Sequence, residues 1–476
     1  MGTMSVVRAL QKSRQLQWAV TAALAVCAVL LCWKAVSWAL QPGLFLFADE
    51  LGNLPWLLDT PYHAILHVLP IQVYNDRPTG EALERILFEL FSFDYRRQLA
   101  CFLCFHFANC VLAFLLFRRL GMGVPISVAA TGFFGSLSTT GMTATYIGAS
   151  FDVLCTFFLL GSLLTGLGET WPYWYSSALL FLLALRSKEF AIVTPVLLTL
   201  LLLGRRQTVT AICQRLWLHY LILVVIGMRY LSFVPRMRVS LPPHHPYYLS
   251  TSLGTVWNSL AYYTALIFTL EEPGKFAAIP LLGVALIAIY AIIRRRRWIL
   301  FSFAAYILTL LPVTMLPNSR QPIYVYGPQI FLILAIGLFL HDLAAPWLAQ
   351  VAIAVVILAA GYAIRTSADF HGRLAYYRNV REICARTARD AAVQLSGIGT
   401  GARLYIASGA STPWLMIAGP CDYLRLTHRD RTLSCVIMKP EPDLLEMYSR
   451  DPGGAGGKYM VDYHEDGSLR LRLSAR

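Results

Sequence analysis

Charge is scarce in this chain. Asp, Glu, Lys and Arg make up 14% of its 476 residues against 57% hydrophobic residues, and the mean hydropathy is +0.57. That balance excludes a soluble globule and describes a polytopic helical membrane protein. Acidic residues are the scarcest, 26 against 40 Lys and Arg, for a net charge of +14. The excess does not point to nucleic acid, because many of the basic residues sit in short clusters between apolar runs, where they orient helices in a bilayer. Asparagine is rare, and none of the six begins an Asn-x-Ser/Thr sequon. Nothing therefore marks a glycosylating secretory route, and a bacterial cytoplasmic membrane is the expected location. The apolar run after Arg14 is long enough to span and lacks a small-residue cleavage site, so no cleavable signal peptide is expected. No tetratricopeptide period follows the apolar region. The Gly453–Gly457 run has neither the spacing nor the flanking strand and helix of a phosphate loop.

What is present is a series of apolar segments near the length, about 20 residues, that crosses a hydrocarbon core. Eleven are predicted, at 17–38, 99–117, 123–141, 150–167, 173–187, 189–204, 216–234, 277–293, 298–316, 323–340 and 346–364. The clusters Arg8, Lys12 and Arg14, then Arg118 and Arg119, Arg205 and Arg206, and Arg294 to Arg297 are all cytoplasmic under the positive-inside rule if eleven spans are counted. A twelfth span at Ser250 to Leu270 would move Arg294 to Arg297 outside, so that stretch is read as an interfacial helix. The parity puts the amino terminus inside. Three loops, Gln41 to Gln98, Arg236 to Ser250 and Asn318 to Gln321, and the carboxy-terminal tail lie outside, and Lys34 snorkels to the outer surface.

The first outer loop, residues 41–98, is far longer than a connection requires, and its Pro55-to-Tyr74 stretch is apolar enough to lie on the membrane surface. His63 and His67 lie one helical turn apart there, a metal-compatible spacing, but no further ligand is evident and plain interfacial histidines are expected. Asp49 and Glu50 open the loop, and charge beside a bilayer is usually functional. Arg186, Lys188 and Glu189 fall between the fifth and sixth spans, where the positive-inside rule disfavours cations. A phosphate headgroup would give those cations a purpose. The alternative is a Lys188–Glu189 ion pair that fixes a tight turn. His106 and Asn109, three residues apart on one helical face, are expected to hydrogen-bond a neighbouring helix.

Composition shifts at about Arg365, dividing a membrane domain, 1–364, from a domain at 365–476. Arg373 to Leu395 reads as an amphipathic helix, and Arg403 to Ala407 and Ser434 to Met438 read as strands. Glu465 to Gly467 reads as a hairpin turn between Tyr459 to Tyr463 and Ser468 to Leu473. The expectation is a small α/β domain without a catalytic constellation, a structural cap rather than a device for acceptor capture. Of ten cysteines, three lie in this tail; Cys421 and Cys435 are the expected disulfide if that side is oxidising, leaving Cys384 odd.

Taken in order, Asp49-Glu50, Arg77-Pro78, His106 with Asn109, Tyr146 to Asp152, Ser187-Lys188-Glu189 with Pro195, Asn318-Ser319-Arg320 and Tyr324 to Pro328 resemble the GT-C superfamily of integral-membrane glycosyltransferases. Within it the likeness is to bacterial and tetratricopeptide-containing relatives of the protein O-mannosyltransferases, over roughly residues 40 to 340. The resemblance implies an all-α polytopic membrane fold of about eleven helices with a small extracytoplasmic α/β domain. It also implies transfer of a hexose from a polyprenyl-phosphate donor to a glycan, lipid or protein acceptor on the outer face, such as a cell-envelope glycan, with membrane lipids as partners. By the place of each residue in the family pattern, Asp49 is the expected base, and Glu50 assists it or holds a divalent cation; a metal requirement stays open. Arg77, Lys188 and Arg320 are the expected phosphate clamp, and Tyr324 and Tyr326 contact the headgroup or sugar. Asp152, Glu189 and His106 support the site. Bland alternatives stand beside these: Arg77 as a residue flanking a helix begun by Pro78, and Asp152 as a helix N-cap. The chain departs from the pattern in having Asp-Glu where relatives often have Asp-Asp, and Gly-Ala-Ser before Asp152 where relatives often carry an Arg. The rival functions are a transporter or lipid flippase, which would place ionisable groups near the bilayer midplane, and a non-catalytic scaffold of the same fold.

Overall fold

The computed structural model describes residues 2–475 except 47–48, 72–75, 234–241, 243, 245–247, 269–277, 345, 409–413, 431, 439–440, 453–454 and 465–467. The helices in chain order begin with α1 (Gly2–Val36), followed by the short helices α2 (Asp49–Gly52), α3 (Leu54–Asp59) and α4 (Tyr62–Ile65) and the longer α5 (Pro78–Phe91). Then come α6 (Tyr95–Arg119), α7 (Val124–Ser136), α8 (Ser138–Ala144), α9 (Ser150–Gly166), α10 (Trp171–Leu185), α11 (Thr194–Gly204), α12 (Val209–Leu231) and α13 (Leu253–Ile267). The last helices of the apolar region are α14 (Ala278–Ile293), α15 (Arg297–Thr314), α16 (Pro328–Leu343) and α17 (Trp347–Arg365).

Local chemistry sets many of these boundaries. Asp94 accepts a hydrogen bond from the Arg97 amide at 3.1 Å and starts α6, and the same helix stops before Gly121, whose φ of 94° only glycine adopts freely. Thr208 and Ser252 cap α12 and α13 in the same way. Pro78, Pro125, Pro172, Pro195 and Pro328 sit in first turns, where the missing amide costs nothing.

Each of the eleven predicted segments falls on a helix. Among the described residues, six helical stretches are long and apolar enough to cross a membrane, Arg14–Leu40, Tyr95–Arg119, Ile147–Gly166, Val209–Leu231, Arg297–Thr314 and Trp347–Arg365, and four more are apolar but shorter. The shortening has local causes. Residues 123–141 divide at Leu137, which turns extended between α7 and α8, and residues 189–193 form a 3₁₀ turn before α11. The predicted interfacial stretch 250–270 contains α13, whose Tyr263, Leu266 and Ile267 are buried.

The helix ends separate by charge. At one end of the bundle Arg296 pairs with Asp342 at 2.8 Å, Arg205 donates to the Leu167 carbonyl, and Arg118 donates to the Met122 carbonyl. At the opposite end stand α2 to α5, the start of α9 and the 3₁₀ turn at 189–193. Arg365 there donates to the Lys34 carbonyl at 2.8 Å, joining the ends of α1 and α17; the Lys34 side chain is exposed. Most of the core is one apolar cluster through the bundle, with a smaller one where α1, α7 and α17 meet; α9 is mostly buried and α12 and α17 are largely outward-facing.

After α17 the chain forms α18 (Ala368–Gln394), β1 (Arg403–Ser408), α19 (Trp414–His428), β2 (Ser434–Met438), α20 (Glu441–Arg450), β3 (Lys458–Tyr463) and β4 (Leu469–Ala475). The sheet order is β2-β1-β3-β4, the first three parallel and β4 antiparallel. Val380, Cys384 and Ala391 of α18 pack on Leu404, Ile406 and Val461 in a separate small core. The strands agree with the sequence reading, whereas the turn at 465–467 lies outside the described residues. Cys421 and Cys435 are paired with Cα atoms 6.3 Å apart, and Cys384 is a buried free thiol.

Candidate active site

At the end of the bundle opposite the basic clusters, a small cleft of about 10 Å³ lies between the first turn of α9, the 3₁₀ turn at 189–193 and the last turn of α15. Asp152, Lys188, Glu189, Thr309, Pro312 and Tyr324 line it. Lys188 Nζ donates to Asp152 Oδ2 at 2.6 Å, with both side chains almost fully buried, and lies 4.9 Å from the centre of the Tyr324 ring. Lys188 is thus not engaged with Glu189, as a tight-turn pair would require. Glu189 instead receives Arg77 Nη2, at 3.1 and 3.3 Å to its two oxygens. Asp152 lies within the first turn of α9 and gives its carboxylate to Lys188 rather than capping the helix.

Two ion pairs therefore stand side by side, and Arg77 completes its setting by lying 5.2 Å over the Phe151 ring. Arg77 does flank a helix begun by Pro78, yet its guanidinium turns inward. Burial disfavours its charge, but Glu189 and Asp152, with Tyr324, together outweigh that and raise its pKa. The charges cancel within the quartet, which keeps the cations ready without leaving buried charge unpaired. Lys188 retains further N–H donors beyond the one given to Asp152, and Arg77 likewise beyond Nη2.

Arg320 is on the same side but apart. It is exposed and lies 5.4 Å over the Tyr262 ring, and among the described residues no hydrogen bond or ion pair joins it to Lys188 or Arg77. Tyr326 is corrected more sharply. Its ring is fully buried, and its hydroxyl meets His106 Nδ1 at 2.9 Å and Asn109 Nδ2 at 3.2 Å. The Tyr326 hydroxyl is thus tied inside the bundle, where it cannot meet a headgroup, and His106 with Asn109 acts as interhelical glue, as the sequence reading expects.

Asp49 is exposed at the first position of α2, while Glu50 beside it is buried. Glu50 accepts Arg381 Nη1 at 2.8 Å and Nη2 at 2.9 Å and the Ile147 amide at 2.7 Å. Both oxygens are committed, which does not fit a carboxylate holding a divalent cation. Among the described residues no cluster of three His, Cys, Asp or Glu has a metal-binding arrangement. His67 is likewise engaged, with Nε2 at 2.5 Å from Asp76 Oδ1; the same oxygen takes Arg186 Nη2 at 2.8 Å. Arg186, odd on this face by sequence, thus ties the outer loop to the end of α10.

Two groups were not singled out by sequence. Glu84 of α5 is buried and accepts from Ser150 Oγ at 2.9 Å at the start of α9. Burial pushes its pKa up to about 8, and Glu81, one turn earlier, is pushed up to about 7. A carboxyl on the amphipathic α5 looks like ordinary surface charge until α9 covers it. Arg381 is one of several arginines on α18, and nothing in its neighbours marks it.

No family model and no curated protein matches the chain. The fold nonetheless has a counterpart among solved structures. It is shared by ArnT from Cupriavidus metallidurans in the apo state, at a TM-score of 0.56 and 13% identity over 94% of this chain and 93% of that one. ArnT from the same organism bound to undecaprenyl phosphate matches over the same shares at 13% identity with a TM-score of 0.49.

Proposed function

We propose that this chain is a GT-C glycosyltransferase that moves a sugar from a polyprenyl-phosphate donor to an acceptor at the outer membrane face. The observation that carries the reading is the pair of ion-paired cations, the buried Lys188 and the half-buried Arg77, held beside a cleft at the bundle end that bears no basic cluster. Cations on that face have no role in topology, and a lipid phosphate entering the cleft gives them one. Residues 1–364 would form the membrane unit and 365–476 an extracytoplasmic cap, with the amino terminus cytoplasmic.

The chemistry follows from charge. The bond between the sugar anomeric carbon and the phosphate oxygen breaks, leaving negative charge on the phosphate, which the free N–H donors of Lys188 and Arg77 stabilise. The acceptor oxygen attacks the anomeric carbon, and Asp49, exposed to the outer solution, takes its proton. Tyr324, beneath the Lys188 ammonium, forms the wall against which the headgroup rests. Arg320, which lies 5.4 Å over the Tyr262 ring, is proposed to meet a longer headgroup. The sugar is proposed to be a hexose, as in the O-mannosyltransferase relatives that the sequence motifs resemble.

The test is donor titration and single-turnover transfer in proteoliposomes. Lys188→Ala should lower transfer about 100-fold or more, while Arg97→Ala, the change of an exposed cation that pairs with Asp94, should alter it less than about twofold. Equal and negligible effects of both would reject the phosphate clamp and return the transporter reading.

A further inference from the structure

A single guanidinium joins the acidic pair to the rest of the site. Arg381 of α18 is about 1% exposed, and its two terminal nitrogens have four N–H bonds and four recorded acceptors. Nη1 donates to the Phe45 carbonyl and to Glu50 Oε2, both at 2.8 Å. Nη2 donates to Glu50 Oε1 and to the Thr145 carbonyl, both at 2.9 Å. The plane of the group lies 4.1 Å over the Tyr95 ring, and the Tyr95 hydroxyl donates to the same Thr145 carbonyl at 2.8 Å. Three chain segments that are far apart in sequence thus meet on one side chain from the carboxy-terminal region.

What they carry matters for chemistry. Asp49 sits on α2, a single helical turn, and a turn that short does not hold its own geometry. Two neighbours anchor it: Leu51, packed into the apolar core, and Glu50, held by hydrogen bonds that set its orientation. Glu50 Oε1 also accepts from the Ile147 amide, five residues before Asp152, the partner of Lys188. Along that path Arg381 holds both the position of Asp49 and the start of the strip that leads to the phosphate cations.

We infer that Arg381 is a positioning residue of the active site: it fixes the distance between the base on α2 and the cations of the cleft, so the site is complete only with the carboxy-terminal region docked. The inference rests on the glycosyltransferase reading for its catalytic part and on geometry for the rest. A lysine would keep the charge and lose the fork that reaches four acceptors. An alanine would leave the buried Glu50 charge without the guanidinium that faces both its oxygens.

The experiment uses the full-length protein with Arg381→Ala and Arg381→Lys, and with Arg378→Ala as the control. Arg378 lies one turn earlier on α18 and pairs with Glu382 at the surface. Hydrogen–deuterium exchange reads the brace directly. In Arg381→Ala, and less strongly in Arg381→Lys, residues 45–52 and 145–150 should lose protection together while strands 403–408 and 458–463 keep theirs. Transfer from a polyprenyl-phosphate hexose should show kcat down about 100-fold, the scale of a 1 Å misplacement. Polyprenyl phosphate alone should bind within about threefold of wild type, because its ligands are elsewhere. Arg378→Ala should leave every readout unchanged. Unchanged exchange at 45–52 and 145–150 in both Arg381 variants would overturn the inference, as would full turnover in Arg381→Ala beside an active wild type. A wild type that transfers no sugar, with the exchange change present, would reject the glycosyltransferase reading and leave the brace standing. If Arg381→Ala does not fold, Arg381→Lys carries the same measurements.

Discussion

At the scale of single residues, the acidic pair divides its labour: Asp49 faces solvent and Glu50 is structural, held by Arg381 and the Ile147 amide. Asp49→Asn should therefore abolish transfer, by about 100-fold or more, with thermal stability unchanged, since a carboxamide cannot take the acceptor proton. Purified Asp49→Asn transferring at the wild-type rate would move the role of base to another carboxylate. Glu84 gives a prediction in pH. Its carboxyl is held neutral to about pH 8 when folded, against an ordinary value of 4.5, so the folded state binds a proton that the unfolded state has released. That contribution is fully present below the ordinary value and is lost as pH rises through about 8, at most about 1.4 kcal/mol per pH unit. Glu84→Gln, which keeps the acceptor for Ser150, should flatten the decline in Tm between about pH 5 and about pH 8, leaving a residual slope from Glu81. A wild-type Tm that does not fall across that window would contradict it. The sequence made Lys188, Arg77, Asp152 and Glu189 legible as a group, because charged residues are conspicuous among apolar neighbours. It could not say who pairs with whom, since each partner comes from a different helix. Arg381 and Tyr326 were misread or missed for the same reason: an arginine among arginines and a tyrosine beside a helix start look exposed until tertiary packing buries them.

At the scale of elements, the packing of α5 on the start of α9 brings Arg77 to the cleft. A Cβ on Gly80 would lie 2.3 Å from Phe151 Cδ1, and Phe151 is the ring beneath Arg77. Gly80→Ala should therefore push that ring aside, destabilising the protein by about 1–3 kcal/mol. It should also weaken transfer less than Lys188→Ala does, since Lys188 and Asp152 bond to each other rather than to Phe151. Thermal unfolding and transfer measured on one preparation check both. Helices were the most readable part of the chain, because apolar length and first-turn prolines set them. The strands of the tail were readable from alternation, and the Cys421–Cys435 pair follows from their placement. Breaks such as the extended Leu137 were not readable, because they depend on how α7 and α8 dock rather than on local composition.

At the scale of the whole molecule, the clusters at Arg118, Arg205 and Arg296 gather at one end and the cleft at the other, the two-sidedness expected from charge alone. Reporter fusions at Arg206 and Arg297 should read as cytoplasmic and a fusion at the carboxy terminus as external. A cytoplasmic carboxy terminus would overturn the proposed orientation and the extracytoplasmic placement of the cap. The fold class was legible because composition and hydropathy constrain it strongly, whereas the assembly of the site across 331 positions, from Glu50 to Arg381, was not. The contact between α1 and α17 has a bearing on how the protein is made. Gly132 of α7 is so close to Ala28 of α1 and Leu358 of α17 that a methyl group would clash with both, and Arg365 donates to the Lys34 carbonyl. α1 therefore meets α17 only after almost the whole of the bundle between them has been synthesised. Until then the seam stays open to lipid, and a nascent chain stopped before Trp347 would display it to the quality-control proteases of the membrane.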